Sequence, residues 1–442
     1  METTGPFSEI QAQARNTAED VARRSYGKLV AFLAASTRDV AAAEDALSEA
    51  FASALLHWPK NGCPANPEAW LLTVARRKSI DTARRRQASG VVDEDIDRIA
   101  ATLGADTPLD PHIPDRRLAL MFACAHPAIE ATVRAPLILQ VILGLDAATI
   151  ATAFLVSPAT MGKRLVRAKS KIREAGIPFR IPERDDLPAR LGTVLEAIYA
   201  AFAEGWIDAA GTDPARRDLT EEAFFLARLV VELMPAEPEA LGLLALMLHA
   251  EARRPARRNG QGEYIPLADQ DALLWNSAMI TEAESLLHRA QREERIGRYQ
   301  LEAAVQSAHV HRLRTGRGNW EAVLQLYDSL FALTASPVVA INRALAIAES
   351  EGAQAGLDAM PPPHDAGLAE YQPYWAARAA LLAGTGAFEP ALHAYEIAIG
   401  LERDPAVRRF LEGRRTRLGR EFSGCIDGLE NADEDDAAKK RR

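Results

Sequence analysis

The sequence predicts an all-α protein of several domains, and three stretches carry that prediction. Between residues of about 15 and 57, Val21, Tyr26, Leu29, Val30 and Leu33 recur at helical spacing; Ala43, Ala46, Leu47, Phe51, Leu55 and Leu56 then form a second apolar side. The stretch from Leu145 to Arg173 divides into two short amphipathic segments, each with its own start signal. Beyond Asp185, LPARLGTVLEAIYAAFAEGW and LTEEAFFLARLVVELMPAEPEALGLLALMLHAEARRPAR are strongly periodic helices. At 442 residues the chain is too long for one ordinary core.

Taken in order, Asp39 is placed to cap the second helix, and Asp39, Glu44, Asp45 and Glu49 lie off its apolar side. An acidic rim around an exposed aromatic, Phe51, suits docking to a basic partner; a solvated helix face is the plain alternative. Pro64, Pro67 and the polar residues between them break that helix. Asn66 then caps, and Pro67 opens, the segment NPEAWLLTVARRKSIDTARRR. Trp70, Leu71, Val74 and Ile80 are its expected buried side. Arg76, Arg77, Lys78, Arg84, Arg85 and Arg86 place six positive charges within eleven residues, relieved only by Asp81. Such density suits phosphates and the release of their condensed counterions. Residues 89–114 lose the periodicity and read as an acidic linker.

Helices resume at Arg116 and lead into the Leu145–Arg173 pair. Asp146 is a good N-cap, and Ile150, Ala151 and Phe154 make one apolar stripe. Ser157 and Pro158 form a second start signal. Met161, Leu165 and Ala168 then face inward, leaving Thr160, Lys163, Arg164, Arg167, Lys169, Lys171 and Arg173 outside. A small residue at the crossing, a tight turn and a basic second helix are what a helix-turn-helix requires. Leu155 occupies the turn position where glycine often supplies a left-handed conformation. A hairpin with a merely solvated basic face is the competing reading.

Composition narrows the possibilities. No apolar run reaches membrane-spanning length, and METTGPFSEIQAQARN has no apolar signal core, so the expectation is a cytoplasmic protein without a membrane partner. Cys63, Cys124 and Cys425 are scattered and odd in number, which fits a reducing compartment. The net charge of −9 excludes a general nucleic-acid coat and confines DNA contact to local basic patches. No metal or cofactor site is expected. Cys124 and His126 have no second ligand pair at zinc spacing, and His309 and His311 read as incidental outward histidines.

The two basic helical modules joined by an acidic linker resemble an extracytoplasmic function sigma factor of the sigma-70 family. DVAAAEDALSEAFASALLHW with NPEAWLLTVARRKSIDTARRR is similar to its sigma-2 domain, and the Leu145–Arg173 pair to its sigma-4 domain. DRRLALMFACAHP and IPFRIP resemble the subgroup with a long tetratricopeptide-like extension. The resemblance implies a sigma-2 domain at 15–88, a linker at 89–114, a sigma-4 helix-turn-helix domain at 115–178, a helical extension at 185–420 and a charged tail at 421–442. It implies that Asp39, Glu44, Asp45, Glu49 and Phe51 dock on core RNA polymerase. By the same resemblance, Trp70, Arg76, Arg77, Lys78, Asp81, Arg84 and Arg85 contact the minus-10 box of promoter DNA. Thr160, Lys163, Arg164 and Arg167 would read the minus-35 box.

In the extension, Ala344 precedes Ala379 by 35 residues, and Ala379 and Ala391 are followed by Pro405 much as Ala308 and Ala322 are followed by Pro337. A period of about 34 is the degenerate mark of tetratricopeptide repeats, which offer a concave surface to a regulatory protein or peptide. Trp375, Ala379, Ala391, Tyr395 and Ala398 fit that pattern best. The closing NADEDDAAKKRR is expected to lack fixed structure. The reading that results is a non-enzymatic transcription initiation factor regulated by its extension. A stand-alone helix-turn-helix regulator with a helical sensor domain explains the hairpin but not the Trp70–Arg86 block. An enzyme with a helical pocket has no convergent motif behind it.

Overall fold

The three-and-four spacing of the first segment builds helix α1 (Pro6–Thr37), which buries Leu29, Val30, Leu33 and Ala34 against α2 (Val40–Asn61) and α3 (Pro67–Ala88). The computed structural model describes residues 6–37, 40–88, 115–174, 182–207, 214–363 and 367–440. They fall into two units, Met1–Pro235 and Ala236–Arg442. The acidic linker expected at 89–114 lies outside the described residues. No strand occurs among those described; a lone antiparallel bridge joins Arg258 and Tyr264.

On α2 the buried stripe is Ala43, Ala46, Leu47, Ala50, Ala54 and Trp58. Leu55 and Leu56, expected on the apolar side, are instead 48% and 67% exposed. The stripe advances by three and four residues, so it passes 54 and 58 and leaves 55 and 56 off the core. Asn66 caps α3 as expected, its Oδ1 accepting from the Ala69 amide at 3.0 Å.

The next four helices are α4 (Arg116–Cys124), α5 (Ala131–Val141), α6 (Ala147–Ala153) and α7 (Pro158–Glu174). Asp115 caps α4 by accepting from the Arg117 and Leu118 amides. Helix α1 packs on α4, and at Gly27 it meets the carbonyl of Ile142, the residue that ends α5. A Cβ at position 27 would collide with that backbone, so the close approach requires glycine.

Helix α8 (Leu187–Ile207) buries Leu191, Val194, Leu195, Ile198, Ala201 and Phe202. It packs on α4, α5 and α6 with one side and on α9 (Pro214–Leu233) with another. Arg190 of α8 donates to the Phe122 carbonyl at 3.2 Å, near the end of α4. Arg117 of α4 pairs with Glu222 of α9 and lies 5.2 Å from the centre of the Phe225 ring. The division of the chain therefore falls between Pro235 and Ala236, later than the boundary expected at 185. The physical reason is that α8 is apolar on two sides, and only α4–α6 together with α9 cover both.

The second unit runs from α10 (Pro238–Ala252) and α11 (Ser277–Gln291) to α12 (Arg298–Thr315) and α13 (Trp320–Thr334). It continues through α14 (Pro337–Glu351), α15 (Ala353–Asp358), α16 (Gln372–Gly384), α17 (Phe388–Leu401) and α18 (Pro405–Lys440). From α12 onward each helix packs on the next, and α10 is buried against both α11 and α12. Ala379, Ala391, Tyr395 and Ala398 share one core cluster, on which Trp375 packs. The charged tail corrects its expectation: α18 continues to Lys440. No proline or glycine follows Gly428, and Asp435 and Asp436 stand four residues before Lys439 and Lys440, a spacing that supports helix.

Helix α12 starts at Gly297, which has no side chain with which to cap. The cap comes from α10: Glu239 accepts from the Tyr299 amide at 3.0 Å and the Gln300 amide at 3.2 Å. A Cβ on Gly297 would strike that carboxylate.

Two predictions follow from this packing. Gly27→Val should lower stability by about 1–3 kcal/mol through overpacking, whereas Gly192→Ala, in an open position on α8, should raise it by about 0.5–1 kcal/mol. Urea titration of both variants reads the difference, and an unaffected Gly27→Val would remove the close approach. The second concerns His249, which is fully buried; burial, then the nearby Arg253, pull its pKa from 6.5 down to about 4. Glu284 Oε1 stands 3.4 Å from Nε2 and favours protonation, but burial is the larger effect. The unfolded chain binds this proton more readily, so the stabilising contribution is complete above pH 6.5 and is lost as pH falls toward 4, by up to about 3 kcal/mol. His309, edge-on to Trp320, is lowered to about 4 by burial and acts in the same direction. His249→Leu should flatten the acid limb of denaturant-measured stability by roughly half.

Candidate nucleic-acid interface

The helical pair expected to form a helix-turn-helix is built as its residues dictate. Asp146 accepts from the Ala148 and Thr149 amides and starts α6; Ser157 Oγ accepts from the Thr160 amide at 3.2 Å and starts α7. Between them Leu155 adopts φ 51° and the left-handed conformation that glycine usually supplies. The Leu155 amide donates to the Thr152 carbonyl at 3.3 Å and the Val156 amide to the Ala151 carbonyl at 3.1 Å. This pair of bonds is a Schellman closure, and it compensates the strain at Leu155. Ile150 and Ala151 are buried where α6 crosses α7, and Met161, Leu165, Ala168 and Ile172 form the inward stripe of α7.

That stripe leaves Thr160, Lys163, Arg164 and Arg167 exposed on α7. Arg164, Arg167 and Lys171 also line a groove of about 200 Å³ whose other wall is Ala128, Ile129, Glu130 and Val133. Arg134 fixes the turn that carries this wall, donating to the Ile129 carbonyl at 2.7 Å and the Pro127 carbonyl at 2.8 Å. Lys169 departs from its expected outward position. It is mostly buried and pairs with Glu44 of α2 at 2.7 Å. Sequence spacing could not find this pair, whose members are 125 residues apart.

The basic block on α3 is less uniform than its sequence suggests. Arg77 is exposed. Arg76 turns inward, its guanidinium 4.7 Å from the centre of the Phe32 ring and its Nε buried without a hydrogen bond. Lys78 pairs with Glu49 at 3.3 Å. Trp70 is half-buried, packed edge-on against Trp58 at 5.5 Å. Asp81, Arg84 and Arg85 belong to α3, but their side chains lie outside the described set, and Asp39 lies outside the described residues.

On α2, Asp45 and Glu49 are exposed, while Glu44 is occupied by Lys169. Phe51 is half-buried and stacks on Tyr26, with ring centroids 6.4 Å apart, so it is not the exposed aromatic that the sequence suggested. Burial, with Glu44 second, pushes the Tyr26 phenol up to about 12 and keeps it neutral. Leu56 was missed as a surface residue, and it gives this acidic face an apolar element.

No reactive pair forms at Cys124 and His126. Burial drives the Cys124 thiol far above its ordinary range. His126 Nδ1 accepts from the Ala128 amide at 3.1 Å, a turn contact. Among the described residues no cluster of three His, Cys, Asp or Glu side chains is placed to hold a metal ion. No helix among them is long and apolar enough to cross a membrane.

Residues 21–89, which span the second half of α1 and all of α2 and α3, match the family described as Sigma-70 region 2. Residues 190–291 match a family of unknown function, DUF6596, which extends from α8 into α11. The uncharacterized protein R00370 of Rhizobium meliloti (strain 1021) is 38% identical over 389 residues, covering 87% of this chain and 92% of that protein. No solved structure matches. The sigma-70 region 2 supports the role of a sigma factor, a non-enzymatic protein that binds RNA polymerase in transcription initiation. The region 2 match supports membership of the sigma-70 family, and the chain belongs to one family with R00370.

The two ion pairs on α2 differ enough to be separated by measurement. Lys169 and Glu44 are 24% and 13% exposed, so a double-mutant cycle should give a coupling of about 1–2 kcal/mol. Lys78 and Glu49, at 40% and 58%, should give no more than about 0.5 kcal/mol. Equal couplings would show that burial does not set the strength of the Lys169–Glu44 pair.

Proposed function

We propose that this sigma factor belongs to the extracytoplasmic function group and that its extension braces the sigma modules. The observation that carries the reading is the exposed row Thr160, Lys163, Arg164 and Arg167 on the second helix of a well-capped helix-turn-helix, in the same compact unit as the region 2 helices. In this reading the row enters the major groove at the minus-35 box, where each arginine–guanine pair contributes about 1–3 kcal/mol of discrimination. Trp70, Arg77, Lys78, Asp81, Arg84 and Arg85 serve the minus-10 box; Arg76 acts indirectly, holding α3 to α1 through Phe32. Asp39, Asp45 and Glu49 dock on core polymerase, with Leu56 as an apolar contact, and Phe51 supports that face from beneath. Glu44 becomes available to the polymerase when Lys169 lets go, so the pair ties the recognition helix to the docking face in the free protein.

The brace consists of α8 and α9. Arg190 holds the end of α4, Glu222 holds Arg117, and the apolar side of α8 covers α4, α5 and α6. The tetratricopeptide-like helices that follow offer a surface for a regulatory protein or peptide. Two experiments separate these roles. Changing Arg164 and Arg167 together to alanine should abolish promoter-dependent transcription while the factor still co-purifies with core enzyme; full transcription by the double variant would sink the assignment. Ending the chain at Pro182 should cost activity several-fold by uncovering the α4–α6 face, and ending it at Pro235 should restore folding of the sigma modules. Equal activity of the two truncated chains would refute the brace.

A further inference from the structure

Helix α10 ends at Ala252 and is followed by Arg253, Arg254, Pro255, Ala256, Arg257 and Arg258. Four arginines in six residues would be unremarkable on a solvated surface. Here they are drawn in. Arg253 is 9% exposed, Arg254 and Arg258 are mostly buried, and Arg257 is half-buried. Arg254 pairs with Glu251 at 2.7 Å and Arg258 pairs with Asp404. Arg253 is different. Its Nε donates to the His249 carbonyl at 3.3 Å and its Nη2 to Gln306 Oε1 at 2.7 Å, and both acceptors are neutral. His249, immediately behind it, is itself held neutral by burial.

Helix α12 supplies the facing side. His309 follows Gln306 by three residues and Arg312 by six, so all three lie along one side of the helix. Arg312 lies 4.5 Å from the centre of the Trp320 ring, with a buried Nε that has no hydrogen-bond acceptor. His309 Nδ1 and Arg258 Nε are likewise buried without partners. Arg253 reaches α12 at Gln306, and His309 lies edge-on at 5.8 Å to the same Trp320 ring that Arg312 covers. Positive charge without matching carboxylate, beside polar nitrogens that bond to nothing, is the pattern of a site waiting for an anion.

We infer that the corner formed by Arg253, His309 and Arg312 binds a small phosphate-bearing anion, with Arg253 as its central ligand. Guanidinium forks approaching from two helices suit the several oxygens of a phosphate group better than one carboxylate. A duplex backbone cannot reach a side chain as deep as Arg253, so the ligand is small. Free phosphates and the phosphate tail of a nucleotide share this chemistry. A bound anion would tie the end of α10 to α12 within the extension.

The test uses the full chain, with calorimetric titration by inorganic phosphate, pyrophosphate and ATP against chloride at matched ionic strength. Saturable one-to-one binding is expected, and the more tightly bound of pyrophosphate and ATP names the source. Arg253→Met should weaken binding by roughly tenfold or more, as loss of a charge-assisted contact does. It should also raise the melting temperature of the anion-free protein, because a buried unmatched charge is gone; a purely structural arginine would lower it. Arg312→Met, at a less buried position, keeps the test decisive if the first variant does not fold, and should weaken binding by a similar factor. Absence of saturable binding by all three anions, or affinities unchanged in both variants, would overturn the inference. Displacement of the anion by duplex DNA, with equal loss of DNA affinity in both variants, would also overturn it, since the site would then be a nucleic-acid surface.

Discussion

Burial of helix α8 on two sides is the constraint on which the first unit depends. A helix that shows Val194, Leu195, Ile198 and Phe202 to its neighbours cannot stand as a linker between α4–α7 and an appendage. It must be covered, and the cover consists of α4, α5 and α6 on one side and α9 on the other. At about 25 cal/mol per Å² of apolar surface removed from water, burial of several large side chains far outweighs the two polar contacts nearby. Arg190 and the Arg117–Glu222 pair therefore orient α8 and α9 more than they hold them. Burial raises the proton affinity of Glu222, and Arg117 opposes that rise, which limits the net gain from the pair.

The fold was readable where short-range rules decide it. Asp146, Asn66 and Ser157 all cap where their side chains and the following residues say they should, and Asp115 does the same for α4 without having been read from the sequence. The inward stripe Met161, Leu165, Ala168 is where the period puts it. Leu155 shows the rule behind a rule: the left-handed turn is required by the helix-turn-helix backbone, and leucine occupies it at some cost because the Schellman bonds over-determine the turn. Periodicity was less informative on α2, where a run of apolar residues wider than one stripe placed Leu55 and Leu56 on the wrong side.

The site was readable in part, for a different reason. An exposed charge and a buried one look alike in a sequence. Arg77 and Arg76 are neighbours in a basic run, yet one meets solvent and the other covers the Phe32 ring. Lys169 belongs to the same basic row as Arg164 and Arg167 but finds Glu44, far off in the chain. The boundary of the first unit was hidden in the same way. The sequence puts a boundary in the proline-rich joint after α7, but whether a joint separates two bodies depends on the apolar surface beyond it, and α8 carries that surface back onto α4–α6.

The cap on α12 has a consequence for how the second unit comes into being. Gly297 leaves the first turn of α12 without a partner of its own, and the carboxylate that satisfies it belongs to α10, some sixty residues earlier. Local sequence therefore specifies a helix that starts poorly until its neighbour has docked. The first turn of α12 is completed only on α10, by a contact that closes a loop of some sixty residues. A repeat array is usually tolerant of losing a terminal unit, since each unit carries its own signals. The leading end of this helical stack cannot be exchanged freely, because one of the signals for α12 is written in α10.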